Sequence, residues 1–198
     1  MPITVIAGKL RGRQLKGIPA GKDPREIRPI LARIKKSLFD IIRMKIPGSY
    51  FLDLYSGTGA VGIEALSRGA KYAVFVDSDF IMVKSLKDDL IYLGLLDSSA
   101  VFQRDIIHTG LEWLAGRFGK KKFDIIFIGP PYKGFYVDKT LELIKAADLL
   151  KKNGLIIAQH HKKEVVRGSA FRYKIFREEK YGDSVLTFLV KNNERNSN

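Results

Sequence analysis

The 198-residue chain contains no cysteine. That absence excludes disulfides, cysteine-ligated zinc, iron–sulfur clusters and a thiol nucleophile, and nothing points to an oxidising compartment. Long apolar runs are missing too. No stretch approaches membrane length and the first residues hold no apolar signal core, so a soluble, cytoplasmic protein without a membrane partner is expected. Histidine is scarce. The three, His108, His160 and His161, read as surface or strand-end residues rather than as bases, and no metal is expected. What is present suffices for one packed domain, since 45% of the residues are hydrophobic.

Acidic residues are scarce at one end. Residues 1–48 hold twelve Lys/Arg and three Asp/Glu, a net of +9, whereas the remainder holds 23 and 18, a net of +5. Such asymmetry suits a polyanion, bound through counterion release, and nucleic acid is the expected partner. Lys9, Arg11, Arg13, Lys16, Arg28, Arg33, Lys35 and Lys36 are the expected phosphate contacts, which would position a substrate without reading its sequence.

Periodicity divides the chain. Residues 3–8 and 11–18 read as two short strands around a turn, and 19–29 as a polar loop. Leu31, Ile34, Leu38, Ile41 and Ile42 recur at helical spacing, ended by Pro47-Gly48. Strands and helices then alternate. Strands are expected at 50–55, 72–77, 100–105, 123–129 and 154–159, and helices at 60–68, 79–93, 111–118 and 137–150. The strands are almost continuously apolar, as parallel strands covered on both faces are. Residues 171–177 and 185–190 read as an antiparallel pair. The expected division is a basic extension over 1–48, an α/β domain over 49–191 and a polar tail over 192–198.

Gly57, Thr58, Gly59 and Gly62 spell G-x-G-x-x-G between a strand and a helix, with Asp77 twenty residues beyond Gly57. This spacing fits an adenosine cofactor: the glycines admit the ligand to the backbone, and the carboxylate accepts from ribose hydroxyls. It does not by itself separate a nicotinamide dinucleotide from S-adenosylmethionine. Asp53, four residues before Gly57, would repel a pyrophosphate but suits a sulfonium and an ammonium. Asp105, closing the next strand, fits an adenine amine or a helix cap equally well.

Gly129-Pro130-Pro131-Tyr132 closes the fourth strand of this series, where open α/β sheets bind ligands. Prolines make a rigid lip, Tyr132 offers a stacking face for an extruded base, and the Pro130 carbonyl can accept from an exocyclic amine.

These motifs together resemble a known family. Val5-Ile6-Ala7-Gly8, Arg11-Gly12-Arg13, Arg28-Pro29, Arg33, Leu38-Phe39, Phe51-Leu52-Asp53-Leu54, the run from Ser56 to Ala70 and Lys180-Tyr181-Gly182-Asp183 resemble the bacterial 16S rRNA guanine-N2 methyltransferases of the RsmD family. The resemblance covers nearly the whole chain. It implies a Rossmann-like class I methyltransferase fold, with a seven-stranded, mostly parallel sheet, antiparallel C-terminal strands and an N-terminal β-hairpin and helix. It also implies S-adenosylmethionine as methyl donor and a guanine of small-subunit rRNA as target, free or in the assembling subunit; separately, a monomer is expected. Asp53, Gly57 and Gly59 would lie around the methionine part, Asp77 would take the ribose and Asp105 the adenine, while Tyr55, Ser56, Thr58, Ser78 and Ile106 are further expected cofactor contacts. Pro130, Pro131 and Tyr132 would hold the target guanine, with Gly129 the remaining expected catalytic position. Two departures stand out. The family lip begins with Asp or Asn where this chain has Gly129, and Ile30-Leu31-Ala32-Arg33 keeps only the Arg of the family's Thr-x-Asp-Arg. Alternatives are another nucleic acid (DNA adenine or tRNA) as acceptor, an RNA-binding homologue of weak activity, and a nicotinamide oxidoreductase.

Overall fold

Most strands form where apolar residues run together, and a computed structural model that describes residues 3–17, 30–119, 122–132, 134–168 and 172–192 assembles seven strands into one sheet, of which one edge strand alone is largely polar. Two short strands, β1 (Ile3–Thr4) and β2 (Gln14–Leu15), pair antiparallel ahead of helix α1 (Ala32–Ile42). Then follow β3 (Tyr50–Leu54), α2 (Ala60–Ser67), β4 (Tyr72–Asp77), α3 (Phe80–Tyr92), β5 (Ser99–Gln103), α4 (Ile106–Thr109), α5 (Glu112–Phe118), β6 (Phe123–Ile128), α6 (Val137–Ala146), β7 (Leu150–His161), β8 (Tyr173–Tyr181) and β9 (Ser184–Lys191). The sheet order is β5-β4-β3-β6-β7-β9-β8. The first five are parallel, while β9 runs antiparallel between β7 and β8. The expected mixed α/β sheet is therefore present. Among the described residues no helix is long and apolar enough to cross a membrane.

Two layers of helices cover the sheet, because strand side chains alternate between its faces. Phe51, Phe75, Ile125 and Phe127 pack on one side with α1, α2 and α3. Leu52, Val74, Ile126 and Ile128 pack on the other with α5 and α6. Every residue of α2 is buried, as expected of a helix enclosed on all sides. Its outer cover is the N-terminal segment: Val5, Leu15, Ile34, Leu38 and Phe39 belong to the same core as Phe51 and Ile63.

Several boundaries differ from the sequence expectation. The first two strands shrink to two residues each, because turn hydrogen bonds such as Arg11 N–H to Gly8 O and Arg13 N–H to Leu10 O take up the intervening backbone. The helix expected to reach 150 stops at Ala146; Asp148 takes a left-handed φ of 46°, and Leu150 already pairs with Phe123. The one-turn helix α4 lies where the sequence shows no periodicity. Expected features at residues 18–29, Arg28 among them, at Phe171 and over most of the tail lie outside the described residues.

Candidate active site

The order of strands reverses between β3 and β6, the place where open α/β sheets leave a crevice beyond their carboxyl ends. The glycine loop leaves β3 and the proline lip leaves β6, so both open into this crevice. Gly129 N–H donates to Leu54 O at 3.2 Å, tying the two together.

The loop turns through three left-handed residues, Tyr55, Gly57 and Gly59, and Gly59 is the N-cap of α2. Gly57 has open space where a side chain would begin. Gly62 has none: a Cβ there would lie 2.2 Å from the Phe75 ring and 3.1 Å from Asp53 Oδ2, so the third glycine lets α2 lie against β4. Asp53, 1% exposed, accepts from Gly62 N–H at 2.9 Å. Asp77 Oδ2 accepts from Gly57 N–H at 2.7 Å, and its Oδ1 from Asp79 N–H at 2.9 Å. Thr58 is buried. So is Ser56, whose Oγ has no hydrogen-bond partner among the described residues.

Burial pushes the Asp53 carboxyl up to about 8, Gly62 N–H opposes this, and the nearby Asp77 charge adds to it. Burial likewise raises Asp77. Two desolvated carboxyls facing one loop disfavour an anion and favour a cation. A folded-state value above the unfolded one, near 4, means that the folded protein keeps a proton the unfolded chain loses. That contribution is fully present below about pH 4 and is lost as pH rises towards 8. Urea unfolding of the ligand-free protein is expected to show stability falling by up to about 1.4 kcal/mol per pH unit in that window. Asp53→Asn should flatten most of the slope, and an unchanged slope would show that Asp53 titrates as an ordinary carboxylate.

Of the remaining cofactor candidates, Ser78 is exposed and its carbonyl accepts from Gln103 Nε2 at 3.4 Å. Asp105 is the N-cap of α4, accepting from Ile107 N–H at 3.0 Å and pairing with His108 Nδ1 at 2.8 Å; Ile106 beside it is buried. The capping alternative for Asp105 thus describes its present contacts.

In the lip, Pro130 is buried and Pro131 exposed. Tyr132 is held by side chains from beyond the crevice: its hydroxyl lies 2.6 Å from Ser184 Oγ and 3.4 Å from Gln159 Nε2. The His161 ring meets it edge-on at 5.6 Å. Phe135, left-handed at φ 49° and 56% exposed, puts a second aromatic on the same loop. Glu164, in the turn after β7, accepts from Val137 N–H with Oε1, while its buried Oε2 has no partner among the described residues. The sequence reading missed Ser184, Phe135 and Glu164. Of these, only Ser184 carried a signal, as the residue after the Lys180–Asp183 turn. His160 is buried against Thr187 and is no base for this crevice.

The basic candidates divide. Lys9, Arg11, Arg13, Lys16, Arg33 and Lys36 are exposed. Arg13 lies over the Tyr92 ring at 5.7 Å, and Lys16 pairs with Asp88 at 3.2 Å. Lys35, expected among the phosphate contacts, is instead buried. It is 2% exposed, its Nζ lies 3.2 Å from Glu64 Oε2, and it donates to Thr4 O at 2.9 Å. It is an internal ion pair and does not face a phosphate. Its spacing from Leu38, Phe39 and Ile42 already put it on the buried side of α1.

Comparison with known proteins identifies the family. The family described as Conserved hypothetical protein 95 matches residues 3–190. Bacillus subtilis YlbH is 34% identical over 181 residues, 90% of this chain and 93% of that protein. The ribosomal RNA small subunit methyltransferase D of Buchnera aphidicola is 33% identical over 167 residues, 83% of this chain and 81% of that one. A hypothetical protein of Thermus thermophilus has a solved structure with a TM-score of 0.76 and 31% identity, covering 96% of this chain and 99% of that chain. The chain belongs to this family, that of the ribosomal RNA small subunit methyltransferases D.

Proposed function

We propose that the protein is an S-adenosylmethionine-dependent rRNA methyltransferase that modifies the N2 amine of a guanine in the small-subunit RNA. The observation that carries this reading is the meeting of the glycine loop and the proline–tyrosine lip at one switch point, across the Gly129–Leu54 hydrogen bond. The cofactor fits the residues present. Gly57 leaves open space, Ser56 Oγ awaits a polar partner, and the two carboxyls favour a cationic ligand over a pyrophosphate. Asp53, Tyr55, Ser56, Gly57, Thr58 and Gly59 would hold its methionine part, Asp77 and Ser78 its ribose, and Asp105 and Ile106 its adenine. When bound, S-adenosylmethionine supplies a methyl group on a sulfonium centre, open to in-line attack by an amine.

The chain's own work is positioning and exclusion of water. Tyr132, braced by Ser184 and Gln159, presents a ring against which an extruded guanine stacks. The Pro130 carbonyl accepts from the exocyclic amine and helps localise its lone pair, and the proton released after transfer passes to water. The family's relatives are named for small-subunit ribosomal RNA, and the exposed cations of the N-terminal hairpin suit that substrate.

Base–aromatic stacking is worth about 1–3 kcal/mol. Tyr132→Ala should therefore slow labelled-methyl transfer to small-subunit RNA about ten- to hundredfold, with S-adenosylmethionine affinity by calorimetry unchanged. Tyr132→Phe keeps the ring and should retain most activity. Equal rates for Tyr132→Ala and the parent would remove the lip from the mechanism.

A further inference from the structure

Outside the crevice, α1 and β8 enclose an open cleft of about 620 Å3 that neither the glycine loop nor the lip uses. Four cations line it, Arg33, Lys36, Arg43 and Arg177, against one lining carboxylate, Asp40, with Ser37 at its side. Arg33, Lys36 and Asp40 recur at i, i+3 and i+7 on one face of α1, and Arg43, the residue that caps its carboxyl end, follows at i+10, about 15 Å from Arg33 along the helix direction. All four cations are exposed. Glu179 holds one edge of the Arg177 guanidinium at 2.8 Å. Elsewhere lysines pair closely with carboxylates, as Lys122 and Lys191 do with Asp148, and Lys151 with Asp124. In the cleft cations outnumber carboxylates, and their mutual repulsion is relieved by a bound polyanion.

The cleft is tied to the lip. Ser37 Oγ hydrogen-bonds the Tyr181 hydroxyl, Tyr181 pairs with Ser184 across the β8–β9 turn, and Ser184 Oγ holds the Tyr132 hydroxyl at 2.6 Å. Ser184 also pairs with His161, at the carboxyl end of β7. Ser37 and Tyr181 thus lie at the level of the lip, and Arg177, four residues back along β8, lies about 13 Å further down the cleft.

We propose that this cleft binds backbone phosphates of the RNA strand flanking the target base, with Arg43 and Arg177 as contacts beyond the N-terminal hairpin. The proposal rests on the RNA-methyltransferase reading and names where that substrate runs. Its strand leaves the lip along the Ser37–Tyr181 contact and passes between α1 and β8.

The test is the affinity of a small-subunit rRNA fragment, by fluorescence anisotropy against salt, for the parent, R43E/R177E and a charge-matched control, R117E/K145E, on the opposite sheet face. Each phosphate contact contributes about 0.7–0.9 to the slope of log affinity against log salt. R43E/R177E should lower that slope by about 1.5 and weaken binding more than tenfold near 0.1 M salt. The control should lie near the parent, and calorimetric affinity for S-adenosylmethionine should be equal in all three. R43Q/R177Q should give the same order at smaller size. If R43E/R177E matches the control while the parent binds and methylates RNA, the cleft is not the path and the enzymatic reading stands. If the parent itself binds no RNA, both fall.

Discussion

Replacing Glu64 with alanine should unfold this protein more readily than any other single change at a charged residue. The Glu64 side chain is fully buried and accepts from Ile6 N–H at 2.8 Å, Ala7 N–H at 3.0 Å and Arg68 Nε at 2.8 Å, with Lys35 Nζ at 3.2 Å. Removing it strands the Lys35 ammonium in the core, where burial already lowers its pKa despite the carboxylate beside it. Breaking a buried pair from one side costs about 3–5 kcal/mol. For a domain of this size that is a fall in Tm of roughly 6–20 °C. Replacing both partners, K35M/E64Q, should recover much of the loss, since the desolvation penalty of both charges disappears. Calorimetric melting checks this, and a loss below about 1 kcal/mol for E64A would mean that water reaches the site. The consequence extends to function. Glu64 and Ser67, whose Oγ takes Leu10 N–H and donates to Ala7 O, fasten the basic hairpin to the helix that begins at the glycine loop. E64A at permissive temperature should therefore weaken RNA binding as well.

The second large effect is a gain. Gly129→Asp should raise the methyl-transfer rate about ten- to hundredfold, because an added carboxylate accepts a hydrogen bond from the target amine, worth about 1.5–3 kcal/mol when charged. The position admits the change. Its φ is not left-handed, and the new Cβ would meet only the edge of the Phe127 ring at 3.0 Å, a contact relieved by a shift of a few tenths of an ångström. Affinity for S-adenosylmethionine should not change, so the gain should fall on kcat. An unchanged kcat would mean that the native lip already satisfies the amine, and a loss would mean that Gly129 matters for access rather than as a missing acceptor.

How much of this was legible beforehand depended on which kind of force decided each feature. Apolar periodicity placed β4 to the residue and α2, α3 and β3 to within one, and it found α1 without its end, since burial dominates those elements. The crevice was legible because glycine spacing and Pro-Pro reflect backbone constraints that few other residues satisfy. Interactions between distant segments were not. The burial of Lys35 depends on Glu64, twenty-nine residues away, and the bracing of Tyr132 depends on Ser184 from an antiparallel strand inserted between two others. α4 escaped because a single turn capped by Asp105 has no period to detect. Asp53 was read as a charge beside the loop, whereas its burial raises its carboxyl far above the ordinary carboxylate range.

The most direct test of the account is to identify the product. Purified protein, labelled S-adenosylmethionine and small-subunit RNA, both free and in partly assembled subunits, are incubated, and the RNA is digested to nucleosides and separated by mass spectrometry. Label is expected in N2-methylguanosine at one site of the small-subunit RNA, with transfer RNA and DNA unlabelled. Label in a methylated adenine, in DNA or transfer RNA instead, or in no nucleic acid while the protein binds S-adenosylmethionine, would contradict it.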